Sequence, residues 1–201
     1  MRRPAQEMRM PFSLTFSHVG IFVRRMSVME DFYTRFMGFA VSDRGARPDG
    51  AEIVFLTRDP REHHQLVLVA GRPDEVAFNV VNQLSFRVDS LATLRELHQG
   101  LKREPVTQIV TLTHGNALSV YFRDPEANRV ELLVDTPWYV PQPHYFDVDL
   151  ALPDEALWAL IERHVRATPG FRLVAQWRAD IERRIAQADA ARRGARKAVT
   201  D

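Results

Sequence analysis

The chain has 201 residues, 45% hydrophobic and 26% charged, and its 27 Lys+Arg nearly cancel its 26 Asp+Glu to leave a formal net charge of +1. This is the composition of an ordinary globular domain with an appendage, and the charge balance leaves no basic footprint for nucleic acid or an anionic membrane surface. With no cysteine there can be no disulfide and no thiolate site, so any metal must be held by His, carboxylate or amide oxygen, a donor set that suits iron, manganese or similar ions.

Residues 1–13 read as an N-terminal arm. The Arg-containing start is not followed by an apolar run of signal-peptide length, because Ser13, Thr15, Ser17 and His18 interrupt it. No stretch approaches the roughly 20 apolar residues of a membrane span, and a cytoplasmic location is the expectation. The β-rich run "LTFSHVGIFV", Leu14 to Val23, predicts the first strand. Ser27 and Glu30 stand at capping-box spacing before a helix through about Met37, which Gly38 ends. Strands follow near Phe39 to Asp43, Ile53 to Thr57 and His64 to Ala70, where β-branched and aromatic residues alternate with polar ones.

The same order then repeats. "VNQLSFRV", Val81 to Val88, predicts a strand, and the Asp89-Ser90 cap leads into a helix apolar at Leu91, Leu94, Leu97 and Leu101, stopped by Pro105. Three strands follow, Val106 to Leu112, Leu118 to Phe122 and Arg129 to Val134, the last two joined by the turn "RDPEAN". The fold class is α+β: two tandem βαβββ modules, 14–70 and 81–134, within a domain spanning 14–137, and then an extension over 138–201. In that extension "TPWYVPQPH" predicts an extended segment lying against the domain with Trp138 and Tyr139 covered. Helices are predicted over Pro153 to Ala167 and Phe171 to Ala190. The final "ARRGARKAVTD" lacks apolar periodicity and is expected to fray.

Each module opens with a strand carrying a ligand-capable side chain in an apolar context: His18 in the first, Gln83 in the second. Alternation places His18 on one face with Phe16, Gly20 and Phe22, opposite Val19 and Ile21. A strand histidine is by itself more often structural than a ligand. The final strand adds Glu131 among Val130, Leu132, Leu133 and Val134, a carboxylate that needs a partner there, either a basic side chain such as Arg129 or a metal.

The strings "FSHVGIFVRRMSVMEDFYTRFMGF", "NQLSFRVDSLATLRELHQGL" and "LSVYFRDPEANRVELLVD" resemble the first-strand, second-module and last-strand signatures of the vicinal oxygen chelate superfamily, the glyoxalase, bleomycin resistance and extradiol dioxygenase group. The likeness covers about residues 14 to 136. It implies that the modules form an open β-sheet cup around one divalent metal, with His18, Gln83 and Glu131 at the ligand positions. "FLTRDPREHHQLVLV" is similar to the type I extradiol dioxygenase segment whose second histidine is the acid-base catalyst. That role falls here to His64, with His63 beside it, and the competing reading is a solvated turn. Alternation from the following strand puts His64 on the face of Leu66 and Leu68. "LSVYF" resembles the strand whose tyrosine hydrogen-bonds the substrate, giving Tyr121; His114 lies near another cleft histidine of those enzymes, although strand register favours Asn116.

The departure from the dioxygenase pattern is Gln83, where a histidine would complete two histidines and a carboxylate. The resemblance therefore implies an extradiol-type dioxygenase with Fe(II), or Mn(II), acting on a small catechol-like aromatic and dioxygen, and a homodimeric assembly. Two alternatives stay open: an isomerase or lyase using the metal as a Lewis acid, and a metal-free small-molecule-binding protein of the same fold.

Overall fold

The structure, a computed structural model, describes residues 14–75 and 78–198, with side chains as far as Ala191; the arm expected over residues 1–13 lies outside the described residues. Two βαβββ modules are present. The first comprises β1 (Val19–Val23), α1 (Met26–Asp31), β2 (Ala40–Ala46), β3 (Glu52–Thr57) and β4 (Leu66–Ala70). Its strands form one sheet in the order β1-β4-β3-β2, with β1 parallel to β4. The second repeats it with β5 (Leu84–Arg87), α2 (Leu91–Leu101), β6 (Thr107–Thr113), β7 (Ala117–Arg123) and β8 (Arg129–Asp135), β5 being parallel to β8.

One face of each sheet is apolar and covered, the other open. In the first, Ile21, Val23, Val54, Leu56, Leu66 and Leu68 are buried beside Met29, Phe32 and Tyr33. In the second, Leu84, Leu118, Val120, Phe122, Val130 and Leu132 are buried beside Leu91, Leu94 and Leu101 of α2. Removing each such side chain from water contributes about 1.5–3 kcal/mol, which fixes strand register, since a slip of one residue would turn the whole set outward.

The helices begin differently. Ser90 caps α2 as expected, its hydroxyl accepting from the Thr93 N–H at 3.1 Å. The capping box expected from Ser27 and Glu30 does not form: α1 starts at Met26, one residue before Ser27, and Arg25 at its cap makes no side-chain cap bond. A carboxylate from the other module takes over. Glu126 accepts the Arg24 N–H at 2.9 Å and the Arg25 N–H at 2.7 Å. Beside it the Tyr33 hydroxyl donates to Asp124 at 3.1 Å, and Arg72 donates to Asn128 at 2.8 Å. This buried polar clamp, with the Phe32–Phe122 and Phe39–Phe86 ring contacts, holds the modules together. A π-helical turn, Phe32–Phe36, continues α1. It ends at Gly38, as predicted: φ is +72° there, and a Cβ would collide with the Arg58 guanidinium.

The expected first strand is shorter than its β-rich run. β1 starts at Val19, so Leu14 to His18 precede it, exposed. In the extension, β9 (Trp138–Tyr139) lies against the domain, with Trp138 and Val140 buried. A strand absent from the sequence reading, β10 (Phe146–Asp147), pairs with β6 and covers that edge of the second sheet. Then come α3 (Asp154–Ala167), β11 (Arg172–Leu173), which pairs with β9, and α4 (Val174–Ala198). Leu157, Ile161 and Val165 of α3 are fully buried. α4 runs on through residues expected to fray, because Ala and Arg are strong helix formers that need no buried face to stay helical. Among the described residues no helix is long and apolar enough to cross a membrane.

Candidate functional site

On the open face of the second sheet one row crosses four strands: Ser85 stands beside Glu131, Glu131 beside Tyr121 and Tyr121 beside Val110. Gln83, two residues before Ser85, is on the same face by alternation. Glu131 is only 5% exposed. Its carboxylate accepts from the Ser85 hydroxyl at 2.6 Å, the Gln83 amide at 2.9 Å and the Ser119 hydroxyl at 2.8 Å. All three donors are neutral, and among the described residues Glu131 forms no ion pair. Burying the charge of a carboxylate in that setting is costly unless a cation offsets it.

The Tyr121 hydroxyl lies 3.0 Å from His114 Nε2, and His114 Nδ1 lies 2.9 Å from the His144 carbonyl oxygen. A carbonyl can only accept, so Nδ1 carries the proton; in a neutral imidazole Nε2 is then the acceptor and Tyr121 donates to it. That leaves the lone pairs of the Tyr121 oxygen for another donor. Burial first, and then the neighbouring Glu131 carboxylate, push the Tyr121 phenol above its ordinary value, so it stays protonated. The sequence register had favoured Asn116 over His114. In the structure it is the His114 ring that reaches Tyr121, and Gly115 at φ +80° breaks the alternation between positions 114 and 116.

The first sheet contributes a second group. The His18 and His64 rings are 4.2 Å apart between centroids, and Phe55 lies 5.1 Å from His64. His18 also hydrogen-bonds Ser17 at 3.2 Å. His63 Nδ1 is 2.8 Å from His64 Nδ1. Burial, followed by the charges of His18 and His63, lowers the His64 pKa, which favours its neutral, proton-accepting form. The expectation that His64 shares the face of Leu66 and Leu68 is wrong. Those two are fully buried on the helix side, whereas His64 touches Phe55, which pairs with Val67 on the open side. The two histidines lie in the turn ahead of β4, where strand alternation does not reach.

The structure thus joins Gln83 to Glu131 and His114 to Tyr121, and on the other module it joins His18 to His64 and His64 to His63. No hydrogen bond among the described residues links His18 to Gln83 or Glu131, and no three His, Asp or Glu side chains among them are gathered as a metal site. A cavity of about 480 Å³ separates the two first strands, with Ser17 and Val19 on one side and Gln83 and Ser85 on the other. Neither His18 nor Glu131 lines this cavity; taken as a donor set, a buried carboxylate, an amide and an exposed imidazole suit a divalent ion of intermediate hardness. Ser85, Ser119 and His144 escaped the sequence reading. Alternation from Gln83 and Tyr121 could have found the serines, whereas nothing local could have found His144.

The family model of the Glyoxalase/Bleomycin resistance protein/Dioxygenase superfamily matches residues 15–132. Biphenyl-2,3-diol 1,2-dioxygenase 2 of Rhodococcus globerulus is 28% identical over 124 residues, 60% of this chain and 62% of that protein. Biphenyl-2,3-diol 1,2-dioxygenase 3 of the same organism is 33% identical over 86 residues, 40% of this chain and 45% of that one. The chain therefore spans less than two thirds of the length of either relative. Among solved structures, the glyoxylase/bleomycin resistance protein/dioxygenase domain from Frankia sp. EAN1pec superposes with a TM-score of 0.53 at 23% identity, over 62% of this chain and 94% of that one. Glyoxalase I of Leishmania major superposes with a TM-score of 0.50 at 21% identity, over 61% and 87%. These two share the fold.

Proposed function

We propose that this chain, which belongs to the glyoxalase/bleomycin resistance protein/dioxygenase superfamily, is a metal-dependent extradiol-type ring-cleaving dioxygenase for a small catechol-like aromatic. The observation that carries this reading is Glu131: a buried carboxylate that only neutral donors hold, on an open face next to a hydroxyl already oriented by a histidine. The likeness to two biphenyl-2,3-diol dioxygenases supports the same chemistry.

In this reading His18, Gln83 and Glu131 hold the ion. Bound there, Fe(II), or alternatively Mn(II), would supply Lewis acidity toward a catechol and the redox chemistry for its reaction with dioxygen. The protein's own groups handle the protons. Tyr121, its hydrogen directed at His114, offers its oxygen lone pairs to a catechol hydroxyl and so orients the ring. His64, neutral because its pKa is lowered, accepts a proton from the substrate and returns it at ring opening. Phe55 and Val67 on the open face give the ring an apolar wall.

The test is metal analysis of freshly purified protein, followed by oxygen uptake with a catechol panel. Near-stoichiometric iron or manganese with oxygen consumed supports the reading, whereas metal with no oxygen consumed leaves an isomerase or lyase. One observation favours another reading. The Gln83 amide bonded to Glu131 occupies a carboxylate oxygen that a metal would use, as expected of a cup that binds a small molecule without metal; protein that stays metal-free under iron reconstitution would establish it.

A further inference from the structure

Beyond the Tyr121 end of the row lies a smaller cavity of about 240 Å³ with Gln108, Val110, Leu112, Tyr121, Arg123 and Arg129 in its walls. Arg123 and Arg129 stand directly opposite each other on β7 and β8. Like charges at that spacing repel and weaken the strand pair, yet among the described residues neither arginine has an acidic partner. Arg123 meets only the Gln108 side-chain oxygen at 3.2 Å and the Ala127 carbonyl at 3.4 Å. Arg129 makes no side-chain hydrogen bond there at all; its guanidinium carbon sits 4.5 Å above the centre of the Tyr121 ring. Gln108 has φ 54°, a left-handed conformation for a non-glycine residue, and stands where the β6–β7 register shifts. Bulges of this kind re-aim side chains beside binding sites.

We infer that this cavity is an anion subsite, and that the aromatic substrate carries a carboxylate which Arg129 and Arg123 bind while its ring lies toward Tyr121. Two half-buried, unpaired guanidiniums facing one cavity match a planar carboxylate, whose binding also relieves their mutual repulsion. Val110 and Leu112 cover the ring edge. The inference rests on the ring-cleavage reading for the identity of the substrate, but not for the anion subsite itself.

The experiment is calorimetric titration of the protein as purified with catechol and with 3,4-dihydroxybenzoate, repeated on Arg129→Gln and Arg123→Gln, together with oxygen uptake for both compounds. The carboxylated catechol should bind the wild type about tenfold or more tightly than catechol, the scale of one charge-assisted hydrogen bond. That ratio should fall toward one in either variant, with folding checked by thermal melting. Equal affinities in the wild type, or a preference that survives both substitutions, would overturn the subsite. Should oxygen be consumed with catechol while no preference exists, the subsite alone falls. An arginine-dependent preference without oxygen consumption removes ring cleavage and keeps the subsite.

Discussion

Gln83 Nε2 lies 2.9 Å from Glu131 Oε2, so two residues at expected metal-ligand positions are hydrogen-bonded to each other. The amide thereby spends a donor on the carboxylate, and its oxygen is a weaker ligand for iron than imidazole nitrogen. Gln83→His should raise iron affinity by roughly tenfold, about 1.4 kcal/mol, and Glu131→Ala should abolish stoichiometric metal while the domain stays folded. Metal content by elemental analysis and far-ultraviolet dichroism decide this. Unchanged metal in both variants would remove Gln83 and Glu131 from the ligand set.

The clamp between the modules predicts a stability effect remote from the site. The Glu126 side chain is 1% exposed, accepts backbone N–H groups of Arg24 and Arg25, and lies 3.8 Å from Arg72. Glu126→Ala leaves those amides without an acceptor and the guanidinium without its counter-charge in a buried seam, and should cost about 3–5 kcal/mol by urea unfolding. Glu126→Gln, which keeps one acceptor oxygen, should cost less. A loss below about 1 kcal/mol for the alanine variant would mean that water replaces the carboxylate without penalty.

How much of this was readable beforehand differs from element to element. The eight module strands and α2 were legible because their apolar residues repeat at the strand and helix periods and Ser90 is a local cap. The start of α1 was not, because its cap is a side chain 101 residues further along the chain. β10 was illegible for a similar reason: two residues carry no period, and its pairing with β6 depends on the path of the Pro-rich segment. In the site, Glu131 was legible as a carboxylate in an apolar strand, whereas Tyr121 was found through the family likeness. Ser85 and Ser119 were missed although both sit two residues from a named position. His64 was found but its face misjudged, since alternation was carried back into a turn.

Two histidines with buried, unpartnered ring nitrogens predict how stability depends on pH. His98 Nδ1 and His144 Nε2 are buried without a hydrogen-bond partner. Both pKa values are lowered, by burial first and then by Lys102 for His98 and by His164 and His114 for His144. With folded values below the unfolded value of about 6.5, the unfolded chain binds more protons in that range, so stability rises with pH. Full stability is present above about pH 6.5 and falls progressively as pH drops through it toward the lower folded values. Thermal melts from pH 7.5 to 5.5 should show Tm decreasing, and a flat or rising Tm over that range would contradict the burial of these rings.

The last prediction separates His64 from His63, which are adjacent in sequence but not equivalent. The His64 ring lies tilted against His18 at 4.2 Å and packs edge-on against Phe55 at 5.1 Å, on the open side of the first sheet. His63 faces outward, its side chain 59% exposed and its Nε2 4.0 Å from Asp43. Proton transfer requires an imidazole that is both within reach of the bound catechol and unprotonated before the reaction, and the lowered pKa of His64 meets the second condition. His64→Ala should therefore bind metal and catechol as the wild type does yet lose about 10²- to 10⁴-fold in turnover, the usual effect of deleting a general acid-base group. His63→Ala should lose less than about tenfold, because it removes a ring hydrogen-bonded to His64 and leaves His64 itself in place. Oxygen uptake, metal content and catechol affinity measured on both variants distinguish the cases. Loss of metal in His64→Ala would make its contact with His18 a support for the ligand shell, and full turnover would rule it out as the proton carrier.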